Sequence, residues 1–131
     1  MRASKIYVEA AGRTQELLNV KWALRSAGYS IASTWHEVSG PSALEDHWDR
    51  RSLEELQVCD ELVIISAPSR PVPPELAMMA GFALARGIAV SWIGARVVGL
   101  CDFPAVQQFD NPEQFQKQLI RRDHAQARLA A

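Results

Sequence analysis

The sequence predicts a single α/β domain in which helices cover both faces of a parallel sheet of about five strands. Short apolar runs alternate with longer amphipathic stretches along the 131 residues. The runs at residues 62–66 and 88–93 are apolar almost throughout, without the alternation of a strand that has one wet face. Such strands belong to parallel sheets between helices, and right-handed crossovers then make the fold doubly wound.

Local signals place each element. The predicted strands are residues 5–10, 29–35, 62–66, 88–93 and 106–109, chosen for their β-branched and apolar content. The predicted helices are the stretch from the cap Thr14 to Gly28, residues 44–57, residues 74–86 and the stretch that begins at Asn111 and Pro112. One domain over residues 1–120 and a polar tail over residues 121–131 account for the whole chain.

Composition excludes several classes of function. Fourteen Lys and Arg residues against fifteen Asp and Glu residues leave a formal net charge of -1, so we expect no nucleic-acid polymer as a partner. No apolar run reaches the roughly 18–20 residues of a membrane span, so we expect no membrane partner. With no recognisable signal peptide and only two cysteines, the expected location is cytoplasmic.

Familiar cofactor and catalytic motifs are absent from the sequence. The first strand-to-helix turn, AAGRT at residues 10–14, matches neither GxGxxG nor GxxxxGK[ST], and no GxSxG elbow occurs. The three histidines and two cysteines lack the spacing of metal ligands. We therefore expect no metal and no bound cofactor.

Ligands of doubly wound sheets bind beyond the carboxyl ends of the strands, and a few polar residues fall there. Tyr7 is either a core tyrosine or an active-site group, and Arg13 either faces a ligand or is simply solvated. Trp35 either stacks on a flat ring or packs against the protein. Glu75 is either an ordinary helix-start carboxylate, stabilised by the helix dipole, or a carboxylate held at the mouth of the crevice.

An ordered set of segments resembles the nucleoside 2-deoxyribosyltransferase-like family, including its short bacterial and phage-type members. The segments are KIYV at 5–8, LRSAGY at 24–29, STW at 33–35, SL at 52–53, CDELVI at 59–64, GFALARG at 81–87, WIG at 92–94 and PAVQQF at 104–109. The resemblance implies a flavodoxin-like, Rossmann-like fold with strand order 2-1-3-4-5, a homodimer, and a small nucleoside or nucleotide as ligand.

The chemistry that this resemblance implies is a retaining glycosyl transfer. A glutamate carboxylate attacks the anomeric carbon of the deoxyribose, the base leaves, and water or a second base resolves the glycosyl-enzyme. Tyr7 matches the tyrosine that orients this glutamate. Ser52 stands where the family has an aspartate that holds the sugar or base, and Asp49, one helical turn earlier, is a substitute. Arg13 would face a 5′-phosphate.

The position of the nucleophile depends on the alignment. Anchoring on Gly81 and Gly87 puts Met79 in the place of the glutamate, whereas anchoring on the loop at residues 68–69 puts Glu75 there. Glu75 and Met79 are i and i+4 and so share one helix face.

Three interpretations stay open. In the first, the protein is an N-glycosidic transferase or hydrolase. Its catalytic residues would be Glu75, Tyr7 and Asp49, and its substrate-binding residues Arg13, Trp35, Ser52 and Met79. In the second, it is a catalytically inactive member of the family that binds or senses a nucleotide-derived ligand. In the third, it is a structural or protein-interaction domain.

Overall fold

The computed structural model describes residues 4–10, 14–33, 50–66, 72–97 and 99–130. Its strands are β1 (Lys5–Ala10), β2 (Ser30–Ile31), β3 (Glu61–Ser66), β4 (Ala89–Gly94) and β5 (Val106–Phe109). Its helices are α1 (Gln15–Ser26), α2 (Arg50–Gln57), α3 (Pro74–Ala85) and α4 (Pro112–Ala130). The alternation of short strands and helices follows the predicted order.

The five strands form one parallel sheet in the order β2-β1-β3-β4-β5. Helices α1 and α4 pack together, with α1 against β2 and α4 against β4 and β5. Helix α2 packs on β1 and α3 on β3 and β4, and these two helices also touch each other. The predicted doubly wound α/β fold and the strand order are therefore confirmed.

Strand β2 is shorter than the sequence predicts. The prediction covers residues 29–35, of which residues 34 and 35 lie outside the described part of the chain. Among the described residues, β2 pairs with β1 only at Ser30 and Ile31. Two residues further along each strand, the amide of Val8 donates to the hydroxyl of Ser33 at 3.0 Å. The ladder ends because a side chain, and not a backbone carbonyl, receives this β1 amide.

Helix α4 extends through the segment that the sequence separates as a polar tail. It starts where predicted, with the side chain of Asn111 accepting from the amide of Gln114 at 2.9 Å, and it continues to Ala130. In its second half, the Arg122 guanidinium donates to the buried Glu61 carboxylate at 2.9 Å and to the Gln107 side chain at 3.0 Å. These bonds tie the middle of the helix to the sheet.

The described residues include neither a membrane-spanning helix nor a metal-binding cluster. No helix among them is long and apolar enough to cross a membrane, and no three acidic, histidine or cysteine side chains among them are grouped to hold a metal ion. Cys59 and Cys101 are buried free thiols. The Cys59 thiol donates to the Glu55 carbonyl at 3.2 Å, and the Cys101 sulfur accepts from the Val97 amide at 3.4 Å.

Candidate functional site

The register of β1 and β3 determines which side chains share a face at the carboxyl edge of the sheet. Tyr7 pairs with Leu62, and Glu9 pairs with Ile64. Side chains two residues apart on a strand point the same way, so Tyr7 and Glu9 lie on one face. Ser52 of α2 lies beside the Tyr7 hydroxyl. Because α2 and α3 touch each other, this is the face of the sheet that both helices cover.

Tyr7 is a fully buried residue in the middle of β1. Its hydroxyl makes no hydrogen bond of ordinary geometry with a described residue, although Ser52 lies close enough to influence it. Burial raises the pKa of Tyr7 well above its usual range, and the nearby charge of Glu9 raises it further, while the neighbouring Ser52 hydroxyl opposes the shift. Tyr7 is therefore a neutral phenol that can donate a proton to a hydrogen bond.

Glu9 is a carboxylate with no solvent-exposed surface at the carboxyl end of β1. Charged side chains are almost never enclosed to this degree unless they are paired or have a function. The sequence pattern places Glu9 in the first strand and assigns it no role in a site. The signal for it was a carboxylate inside a strand that is otherwise apolar and central in the sheet.

Ser66 is the last residue of β3 and lies on the same face, because it follows Ile64 by two residues. Its hydroxyl is buried and has no hydrogen-bond partner among the described residues. Its neighbour on β4 is Gly94, which has a φ of 106°. A β-carbon at Gly94 would collide with the Ser66 carbonyl oxygen, so glycine is required where these two strands come together.

We refer to Tyr7, Glu9 and Ser66 as the edge cluster. From ordinary strand spacings, the α-carbons of Tyr7 and Glu9 are roughly 6.6 Å apart, and those of Glu9 and Ser66 are diagonal neighbours at roughly 8 Å. Three polar side chains thus follow one another along a face that is otherwise apolar. Two buried hydroxyls and a buried carboxylate are suited to hold the polar groups of a ligand.

Glu75 lies in the first turn of α3, and its side chain is exposed. Pro74 occupies the first helical position, where a missing amide proton has no cost, and Pro73 provides no side-chain cap. Because α3 follows β3 in a parallel sheet, its first turn lies toward the carboxyl edge, the same edge as the cluster. The helix dipole favours a negative charge at this position.

Met79 lies one turn further along α3, roughly 6 Å deeper along the helix axis. It is fully buried, together with Leu76, Ala80 and Ala83, on the side of α3 that faces the sheet. A thioether in this environment packs against its neighbours and can take no part in nucleophilic chemistry. Glu75 therefore provides the carboxylate on this stripe of α3.

The structure brings Ser52 and Tyr7 together, since Ser52 is buried on α2 and its hydroxyl is close enough to lower the pKa of the phenol. Arg13, Trp35 and Asp49 lie outside the described residues. These three residues remain sequence predictions.

Two solved structures have similar folds. A Clostridium botulinum CMP N-glycosidase, BcmB, aligns with a TM-score of 0.55 at 17% identity, covering 87% of this chain and 97% of that one. A 3-dehydroquinate dehydratase-like protein from Bifidobacterium longum aligns with a TM-score of 0.50 at 14% identity, covering 93% and 97%. No family model matches the chain, and no curated protein matches it. The similarity therefore extends to the fold, and to nearly the full length of both structures.

Proposed function

We propose that this protein binds a nucleoside or nucleotide at the carboxyl edge of its sheet and cleaves or exchanges the N-glycosidic bond. The observation that carries the proposal is the edge cluster, in which two buried hydroxyls have no partner among the described residues. Leaving a buried hydroxyl without a partner costs about 1–3 kcal/mol. Two hydroxyls of the edge cluster carry this cost, near the position where doubly wound folds bind their ligands. Both hydroxyls are therefore suited to hydrogen-bond to a ligand.

The similar fold of a CMP N-glycosidase supports the choice of reaction, because the chemistry in its name is the one that the sequence resemblance implies. Fold likeness alone is weak support, since one fold carries many activities. The glutamate and the tyrosine of the resemblance add to it, because Glu75 lies toward this edge and Tyr7 lies on the same face of the sheet as Glu9, two residues before it. Glu75 has an exposed carboxylate in the first turn of α3, and Tyr7 has a neutral phenol on β1.

The proposed reaction has two steps. The Glu75 carboxylate attacks the anomeric carbon, the carbon–nitrogen bond to the base breaks with its electron pair going to the base, and the base takes up a proton. A glycosyl ester of Glu75 remains. Water, or a second base, then attacks the same carbon and releases the carboxylate, so that the configuration of the sugar is retained. Tyr7 orients the reacting carboxylate by hydrogen bonding.

The remaining predicted roles concern substrate binding. Ser52 lies beside the Tyr7 hydroxyl on α2, and Asp49 or Ser52 is the proposed contact to the sugar or base. Arg13 and Trp35 are proposed to contact a 5′-phosphate and a base ring, respectively. The ligand is a small molecule, and the protein is proposed to act as a cytoplasmic homodimer.

One observation favours a second function, which is binding without turnover. The buried position that one alignment assigns to the nucleophile is Met79, and no reaction can start from its thioether. If Glu75 does not reach the anomeric carbon, the same edge binds a nucleotide-derived ligand and leaves it intact. Reacting atoms must come within about 3–3.5 Å, and a shift of one helical turn prevents this.

Chromatography of released bases tests the proposal. The protein is incubated with nucleosides and their 5′-monophosphates, in ribo and 2′-deoxy forms, with and without an added free base. Glu75→Gln should abolish release and exchange, whereas Glu113→Gln, a matched change in the first turn of α4, should retain both. Absence of turnover in the wild type, with turnover gained in Met79→Glu, would replace the enzyme proposal with the binding function.

A further inference from the structure

Glu9 has no role in the reaction proposed above, yet it is the charged group of the edge cluster and has no solvent-exposed surface. Its charge raises the pKa of Tyr7, and its pairing with Ile64 puts it two positions along the strand register from Ser66. An ionised carboxylate only accepts hydrogen bonds, through two oxygens. The Tyr7 and Ser66 hydroxyls beside it have no partner among the described residues, so the cluster has hydrogen-bonding capacity that a ligand can use.

The chemistry of the cluster favours one part of a nucleotide. A phosphate would be repelled by the Glu9 carboxylate in a region shielded from water. A base is a flat ring that proteins bind mainly by stacking, whereas the cluster consists of one carboxylate and two hydroxyls. A ribose presents two adjacent hydroxyls, and a carboxylate with two oxygens is the group that binds them in nucleotide-binding folds.

We propose that Glu9 is a substrate-binding residue that accepts hydrogen bonds from the 2′- and 3′-hydroxyls of a ribose, with the hydroxyls of Tyr7 and Ser66 completing the sugar subsite. The substrate is then a ribonucleoside or ribonucleotide, and not the 2′-deoxy compound that the sequence resemblance implies. The inference depends on the proposed function, because it assigns the sugar to the same site.

Binding measurements on analogues test this assignment without depending on turnover. Dissociation constants are measured by calorimetry for adenosine, cytidine, guanosine and uridine and for their 2′-deoxy and 3′-deoxy analogues. A charge-assisted hydrogen bond to the sugar corresponds to roughly a 10- to 100-fold change in affinity. The wild type should therefore bind its best ribonucleoside 10- to 100-fold more tightly than either deoxy analogue.

The Glu9→Gln variant keeps the shape of the side chain and removes its charge. We expect it to bind the ribose and deoxyribose forms within about threefold of each other, since the loss of charge weakens the sugar contact. Glu113→Gln, a matched change in the first turn of a helix on the other face of the sheet, should keep the wild-type preference. Because the readout is a ratio of two affinities, a general loss of stability in Glu9→Gln does not produce the expected result.

Three outcomes overturn the inference. If the wild type binds ribose and deoxyribose forms equally, no sugar hydroxyl is recognised, and this holds even if Glu9→Gln fails to fold. If Glu9→Gln keeps the full preference, another residue recognises the hydroxyls. In both cases nucleosides still bind, and the proposed function stands. If no nucleoside or nucleotide binds at all, the proposed function fails, and the sugar subsite fails with it.

Discussion

Replacing Tyr7 with phenylalanine should separate stability from ligand binding. The ring of Tyr7 is fully buried, and its hydroxyl makes no hydrogen bond of ordinary geometry with a described residue. Because an unsatisfied buried hydroxyl costs about 1–3 kcal/mol, its removal should leave the free energy of unfolding unchanged or raise it by up to about 2 kcal/mol. Ligand binding should weaken by roughly 5- to 10-fold, the equivalent of one lost hydrogen bond.

Tyr29 provides the matched control. It is the only other tyrosine in the sequence, and its hydroxyl lies close enough to Arg122 to interact with the guanidinium. Tyr29→Phe should therefore lower the free energy of unfolding by about 1 kcal/mol. The two substitutions are chemically identical and have opposite expected effects, which urea denaturation of the purified variants measures directly.

The dependence on pH gives a second readout for Tyr7. Burial and the charge of Glu9 raise the pKa of Tyr7 above its usual range, so the folded state keeps the phenol proton at a pH where the unfolded chain has lost it. The unfolded state then binds fewer protons, and the stability falls as the pH rises above about 10, by up to about 1.4 kcal/mol per pH unit. Tyr7→Phe should lack this contribution. A loss of 1 kcal/mol or more in Tyr7→Phe at neutral pH, comparable to that in Tyr29→Phe, would refute the reasoning, because it would show that the hydroxyl has a partner within the protein.

Three further changes test the fold and its chemistry. Gly94→Ala should destabilise the protein by about 3 kcal/mol or more, because it combines backbone strain with a collision. Gly99→Ala, also at positive φ but in open space, should cost only about 1 kcal/mol in the same denaturation assay, and equal losses would argue against the collision. Arg122→Met should lower the free energy of unfolding by about 3 kcal/mol, because it leaves the Glu61 carboxylate buried without its cationic partner. Adding Glu61→Gln should recover part of this loss, and strict additivity of the two changes would contradict the pairing. Burial raises the pKa of Cys59 to about 11, so at pH 7.4 its labelling by a thiol reagent should be about 100-fold or more slower than that of free cysteine, and fast labelling would show that the thiol is accessible.

Much of the fold follows from the sequence because the apolar strands carry a clear signal. The continuous apolar runs at β3 and β4 require cover on both faces, and this condition alone leads to a parallel sheet between helices. The length of β2 does not follow, because its ladder ends where the Ser33 side chain accepts the amide of Val8. No periodicity in the sequence encodes that substitution of a side chain for a carbonyl.

The candidate site is only partly predictable. Tyr7 and Glu75 can be proposed from the sequence, because Glu75 begins a helix at the carboxyl edge of the sheet and Tyr7 matches a residue of the resembled family. Glu9 was missed because, in the sequence, it resembles the polar end of a strand, much as Lys5 does at the other end. Only the pairing of Glu9 with Ile64 in the centre of the sheet shows that its carboxylate is enclosed.

A crystal structure of the protein with a bound ribonucleoside is the most direct measurement for the central claim. We expect the sugar to lie against Glu9, with the hydroxyls of Tyr7 and Ser66 within hydrogen-bond distance of the sugar and the anomeric carbon directed toward Glu75. The described part of the chain also has a groove of about 250 Å³ between α1 and the start of α4, beside the exposed Trp22. Density for the ligand in that groove, with the carboxyl edge of the sheet empty, would contradict the account.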